Sequence, residues 1–167
     1  MPYDNMISKY RRMEVTDMVD VRAVANWFLS RKSLTHKQIQ KLCYYAQAWY
    51  CALYDGSPLF NDEIQAWVHG PVIPTLYPIY ADHRWEPIPK VAFDEGIFEE
   101  KVLNVLEAVY ETYGKFTGDQ LESLTHSEDP WIRARKDLKP WETSTATISC
   151  ASMRDYYSRK YEEAQND

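Results

Sequence analysis

Glycine is scarce, with five in 167 residues. They assemble neither a GxGxxG turn nor a Walker-type loop ending in GKS or GKT, so the two commonest backbone cradles for nucleotide phosphates are excluded. A GxSxG nucleophile elbow is absent, as are HExxH and CxxC spacings. The three cysteines, Cys43, Cys51 and Cys150, make an odd set. On one helix Cys43 and Cys51 would lie roughly 12 Å apart along the axis, out of disulfide reach, so reduced and mostly buried thiols are expected. Nowhere do about 18 apolar residues run together, which excludes a membrane-spanning helix. Met1 to Met13 carries Asp4, Lys9, Arg11 and Arg12 and no apolar stretch of the kind an export signal needs, so a cytoplasmic protein is expected. Basic charge is in deficit: 25 acidic against 19 basic side chains give −6, a field that repels phosphate backbones.

Apolar and aromatic residues are plentiful, at 45% and 14%, enough for the core of one domain of this length. Residues 1–16 are polar and unpatterned and read as an N-terminal extension; residues 17–167 read as the domain. The spacing of Val21, Val24, Ala25, Phe28 and Leu29 predicts a helix from Asp17 to about Lys32. Thr35 and Gln38 form a capping box, stapled by Leu34 and Ile39, for a second helix that forms the core spine, with Gln40, Tyr44 and Gln47 on its narrower polar stripe. Asp55, Gly56 and Pro58 stop it. Glu63 to His69 alternates and predicts an extended segment ended by Gly70 and Pro71, with residues 82–93 available to pair with it. Pro71, Pro74 and Pro78 leave room only for a short helix through Tyr77 and Tyr80. Asp94 can cap a long helix through Tyr113. Thr117 with Gln120, Asp129 before Pro130, and Ser149 open three further helices. The fold class is mainly α: a single-domain bundle of six to seven helices with a short extended segment or small β-hairpin near residues 63–93.

Chemistry is hard to place on these elements. Cys43 and Cys51 sit among apolar residues, where desolvation disfavours a thiolate. His36, His69, His83 and His126 are too dispersed for a local metal motif, and His36 faces the positive end of a helix dipole. Glu99 with Glu100, and Glu128 with Asp129, suit helix beginnings. Arg133, Arg135, Lys136 and Lys139 beside Trp131 and Trp141 give the best case for nucleic-acid contact, but Glu128, Asp129, Asp137 and Glu142 cancel most of that field. The six Trp and thirteen Tyr exceed the needs of the core, so some are expected on the surface as protein-contact residues.

Several segments in order carry a family likeness: Val24 to Phe28, LTHKQIQKLCYYAQAWY at 34–50, AWVHGPV at 66–72, YETYGKF at 110–116, LTHSEDPW at 124–131 and MRDYY at 153–157. Together they resemble the Panacea domain, a family that includes phage-associated GepA-like proteins and SocA-like antitoxins. The resemblance implies a mainly helical antitoxin, often prophage-borne, that neutralises a cognate protein toxin by direct contact, with no catalysis and no cofactor. The toxin is expected from the adjacent gene. Trp67, His69, Gly70, Pro71 and Tyr77 around the turn, and Trp131 with Arg135, are the candidate partner-binding residues. The competing readings are a histidine-based metal enzyme and a DNA-binding autoregulator.

Overall fold

Asp20 accepts the amide of Arg22 and starts the first helix seen, α1 (Val21–Arg31). The computed structural model describes residues 18–167, so the extension expected over 1–16 lies outside the described residues. Thr35 and Gln38 close the expected capping box at the head of α2 (His36–Leu53). Leu34 and Ile39, the two halves of its staple, are buried. Asp55 and Gly56 then turn the chain with positive φ, a conformation glycine adopts freely.

Gly70 does not end an extended segment; it begins the returning strand. Strands β1 (Gln65–Trp67) and β2 (Gly70–Val72) form an antiparallel hairpin across Val68 and His69, pairing Ala66 with Pro71. Gly70 makes this tight reversal possible at φ +102°. The other side of β1 is taken by the 146–148 segment, through Ala66 N–H to Ala146 O and Ile148 N–H to Ile64 O. Residues 82–93 therefore do not pair with this segment. They bridge instead to Leu34 through Ile88.

After the hairpin come α3 (Tyr77–Tyr80), a single turn with Pro78 in its first positions, and a short 3-10 turn at Ala81–His83. Asp94 caps Gly96 in a second 3-10 turn, Glu95–Ile97, and not the long helix itself. The reason is local: its carboxylate is spent on the amide two residues on, and the chain reaches extended φ and ψ at Phe98 before α4 (Glu100–Tyr113) begins. Helices α5 (Gly118–His126), α6 (Asp129–Arg135) and α7 (Cys150–Asn166) complete the chain, α5 and α7 capped by Thr117 and Ser149 as expected. The described residues thus hold seven α-helices and one two-stranded sheet, the mainly α architecture expected. No described helix is long and apolar enough to cross a membrane.

Helix α2 is the spine, packed by α1, α4, α5, β2 and, most extensively, α7. It is covered on nearly all sides, so its polar stripe is not a solvent face. Gln40 and Gln47 are buried and serve as side-chain splints: Gln40 bonds Ile73 N–H and C=O, while Gln47 accepts from Leu59 N–H and donates to Phe60 O. Buried loop amides without such partners would cost about 1–3 kcal/mol each. Tyr44 is buried too, its hydroxyl 3.1 Å from that of Tyr157.

Many of the surplus aromatics turn out to be internal and hydrogen-bonded. Tyr45 and Tyr157 donate to the buried carboxylate of Glu128 at 2.6 and 3.0 Å, and Trp49 donates to the Tyr113 hydroxyl. Tyr45 stacks on Tyr113 with ring centroids 3.9 Å apart. Burial, stronger than the two tyrosine bonds that oppose it, raises the Glu128 pKa.

The expectation of three reduced thiols also needs correction. Cys51 and Cys150 form a disulfide with Cα atoms 6.1 Å apart. Cys51 lies near the end of α2 and Cys150 starts α7, so the most extensive helix contact brings together sulfurs separated by 99 positions in sequence. Cys43 remains a buried free thiol, its pKa pushed well up by desolvation.

Candidate functional site

Residues 36, 37, 40 and 41 lie in the first two turns of α2, where the helical repeat sets 40 above 36 and 41 above 37 as i,i+4 neighbours. In space His36, Lys37, Gln40 and Lys41 form one wall of a cavity of about 480 Å³. Trp67, Val68, His69 and Val72 of the hairpin, Tyr77 of α3, Arg84 and Thr143 to Thr145 complete its lining. The Tyr77 ring touches both His36 and Trp67, each with centroids 5.1 Å away, giving a continuous aromatic wall.

The hairpin is held to the body from beneath. Trp131 donates its indole N–H to Trp67 O at 2.8 Å, and Arg135 donates to Ala66 O at 2.9 Å and also to Lys139 O and Glu142 O. Trp131 lies between the His126 ring, stacked at 3.9 Å, and the Arg135 guanidinium. Trp131 and Arg135 are 6% and 3% exposed, so their side chains brace the hairpin from behind.

The expected contact residues thus fall into two sets. Trp67, His69 and Tyr77 stand at the cavity, with Gly70 and Pro71 buried under the turn; Trp131 and Arg135 lie on its inner side. The basic stretch considered for nucleic acid is dispersed by the same geometry. Arg135 is consumed by backbone carbonyls, and Arg133 lies 3.5 Å from Asp129.

Lys41 escaped the sequence reading and is the most unusual group here. Its side chain is 2% exposed, and Nζ donates to Pro71 O at 3.2 Å. Burial above all, with the charge of Lys37 in support and Glu122 opposing, lowers its pKa to about 7. A Cβ at position 70 would meet Lys41 Cε at 2.6 Å, so Gly70 serves both the turn and the lysine that passes against it. The available signal was position: Lys41 is one turn from Tyr45 and two from Ala48, on a helix with almost no solvent face. His36 is held neutral by burial, then by Lys41 and His83, with its pKa lowered to about 4.

Around the mouth, His69 Nδ1 is 2.5 Å from Glu122 Oε1, and Lys37 reaches Asp119 and Glu122. Burial would raise the Glu122 pKa, but the bonds from His69 and Lys37 outweigh it and keep the carboxyl ionised. Tyr77 is 43% exposed, and two fully surface-lying tryptophans, Trp85 beside Arg84 and Trp141 two residues before Thr143, are 74% and 70% exposed. Among the described residues no three of His, Cys, Asp and Glu converge to hold a metal ion.

Residues 39–132 match the family model described as Antitoxin SocA-like, Panacea domain. That span runs from the first turns of α2 to the start of α6 and contains Lys41, the hairpin, Tyr77 and Arg84. Antitoxin SocA of Caulobacter vibrioides (strain NA1000 / CB15N) is 30% identical over 131 residues, covering 68% of this chain and 69% of its own. No solved structure matches the fold.

Proposed function

The chain belongs to the SocA-like Panacea domain family, and on that footing we propose that it is the antitoxin of a toxin–antitoxin pair, neutralising a cognate protein toxin by direct binding. Family membership is the observation that carries this reading. The domain acts in the cytoplasm by covering its partner, with no bonds made or broken. Its contact face is the cavity-bearing side, where Trp67, His69 and Tyr77 meet the partner while Gly70, Pro71, Trp131 and Arg135 hold them in place.

Physical support comes from the exposed aromatics. Tyr and Trp give large contact area at small entropy cost, and Tyr77, Trp85 and Trp141 are 43%, 74% and 70% exposed. The net charge of −6 favours encounter with a cationic partner, by steering that weakens as salt rises.

Co-expression with the adjacent gene tests the proposal. Growth arrest by the neighbour alone, relieved by this chain and accompanied by a co-purifying complex, is the expected result. A neighbour that is harmless, or a toxic one that neither binds nor yields to this chain, overturns it.

A further inference from the structure

We propose that the cavity between α2, the hairpin and α3 is a binding site for a small organic anion, a carboxylate or phosphate monoester on a flat apolar body, with the anionic group held at Lys41 Nζ. The inference stands apart from the toxin reading and does not depend on which face the toxin uses.

Size is the first support: about 480 Å³ falls in the range of pockets that enclose small molecules. Charge is the second. The chain as a whole is at −6, yet no carboxylate lines this cavity; Arg84, Lys37 and the buried Lys41 line it, while His36 is held neutral. The neighbouring Glu122 is already bonded to Lys37 and His69 outside the lining.

Lys41 itself is the third. A lysine ammonium has three N–H donors, and among the described residues Nζ finds one acceptor, Pro71 O. Lys41 is among the residues that line the cavity, so the fold buries this cation beside it without completing its bonding. An anion in the cavity would complete it. The tilted rings of His36, Tyr77 and Trp67 then offer aromatic faces against which the rest of the ligand can pack.

Binding would draw a proton onto Lys41. The groups that act on it are Lys37 and His36 on its own helix, and Glu122 and His126 on α5, of which Glu122 alone favours the charged form. Anion binding adds a second favourable charge, so at pH 8 each binding event should take up most of a proton.

Isothermal titration of the whole chain with benzoate, phenyl phosphate and neutral benzamide tests this. One or both anions should bind at least about tenfold tighter than benzamide, with a heat at pH 8 that varies with the ionisation enthalpy of the buffer. Phenyl phosphate alone binding would assign the site to phosphate esters, benzoate alone to carboxylates. Lys41→Met should weaken the anion about 30-fold or more and abolish the proton uptake. Arg84→Ala, at the exposed mouth, should weaken binding less and leave the uptake intact. Failure of both anions to bind, equal binding of benzamide, or full affinity in Lys41→Met overturns the proposal. So does loss of a toxin complex in Lys41→Met when neither anion binds, which would make the occupant a side chain of the partner.

Discussion

Replacing Lys41 by methionine should stabilise the protein, and by an amount that depends on pH. Burial takes the lysine pKa from an ordinary 10.5 to about 7. At about 1.4 kcal/mol per pH unit, placing a protonated Lys41 in the fold costs on the order of 5 kcal/mol. Methionine keeps most of the stem volume and removes that cost, but forfeits the bond that the neutral amine also makes to Pro71 O, worth about 1 kcal/mol. The net gain at pH 6 is then about 4 kcal/mol. Its sign follows from linkage, because the folded pKa lies below the unfolded one. Above pH 10.5 neither state holds the proton, and the wild type carries no burial cost. As pH falls towards 7 the unfolded chain is protonated first, so the wild type loses stability relative to the variant. Below about 7 the difference is constant. Urea denaturation of both proteins, followed by circular dichroism at pH 6, 8 and 10, reads this directly. A variant less stable than wild type at pH 6, or a difference that does not shrink between pH 6 and 10, would refute the reasoning.

Other perturbations have equally definite outcomes. Reduction of Cys51–Cys150 opens a loop of 99 residues and should lower stability by about 4–5 kcal/mol, with thiol titration of the denatured chain rising from one group to three. Glu128→Ala leaves the buried Tyr45 and Tyr157 hydroxyls without their acceptor and should cost about 3 kcal/mol, whereas Glu128→Gln should be nearly neutral at pH 7. Because the folded Glu128 pKa is raised, its contribution is greatest at acid pH and declines as pH rises through that value; the Gln variant lacks this decline. Gly70→Ala combines a positive φ with a 2.6 Å approach to Lys41 Cε and should cost about 1–3 kcal/mol in thermal or urea denaturation.

Helix beginnings were legible because they depend on neighbours in sequence. Thr35 with Gln38, Thr117 with Gln120, and Ser149 all cap where local pattern placed them. Features decided by distant segments were not. Gln40 and Gln47 look like a solvent stripe until Ile73 and the Leu59–Phe60 backbone arrive to bond them. The partner of β1 proved to be Gly70–Val72, two residues further on, because a positive φ at Gly70 turns a stop signal into a hairpin. The same limit applies to Cys150, whose partner is fixed by the docking of α7 on α2.

For the candidate site, the hairpin residues Trp67 and His69 and the nearby Tyr77 were readable as a cluster because they lie close in sequence. Trp131 and Arg135 were readable as a second candidate pair, but their bonds to the hairpin and their inward direction were not. Lys41 was lost because a charge between apolar positions normally marks a solvent face, and only the covering of α2 on nearly all sides reverses that inference.

The central claim, neutralisation through the cavity-bearing face, is tested most directly by measuring the affinity of the purified chain for the product of the adjacent gene. Exposed positions should be compared: Tyr77→Ala and His69→Ala on that face, and Tyr161→Ala on α7. The account predicts a complex weakened about tenfold or more by each of the first two substitutions and unchanged by the third. Wild-type affinity in both face variants, or loss confined to Tyr161→Ala, would contradict it.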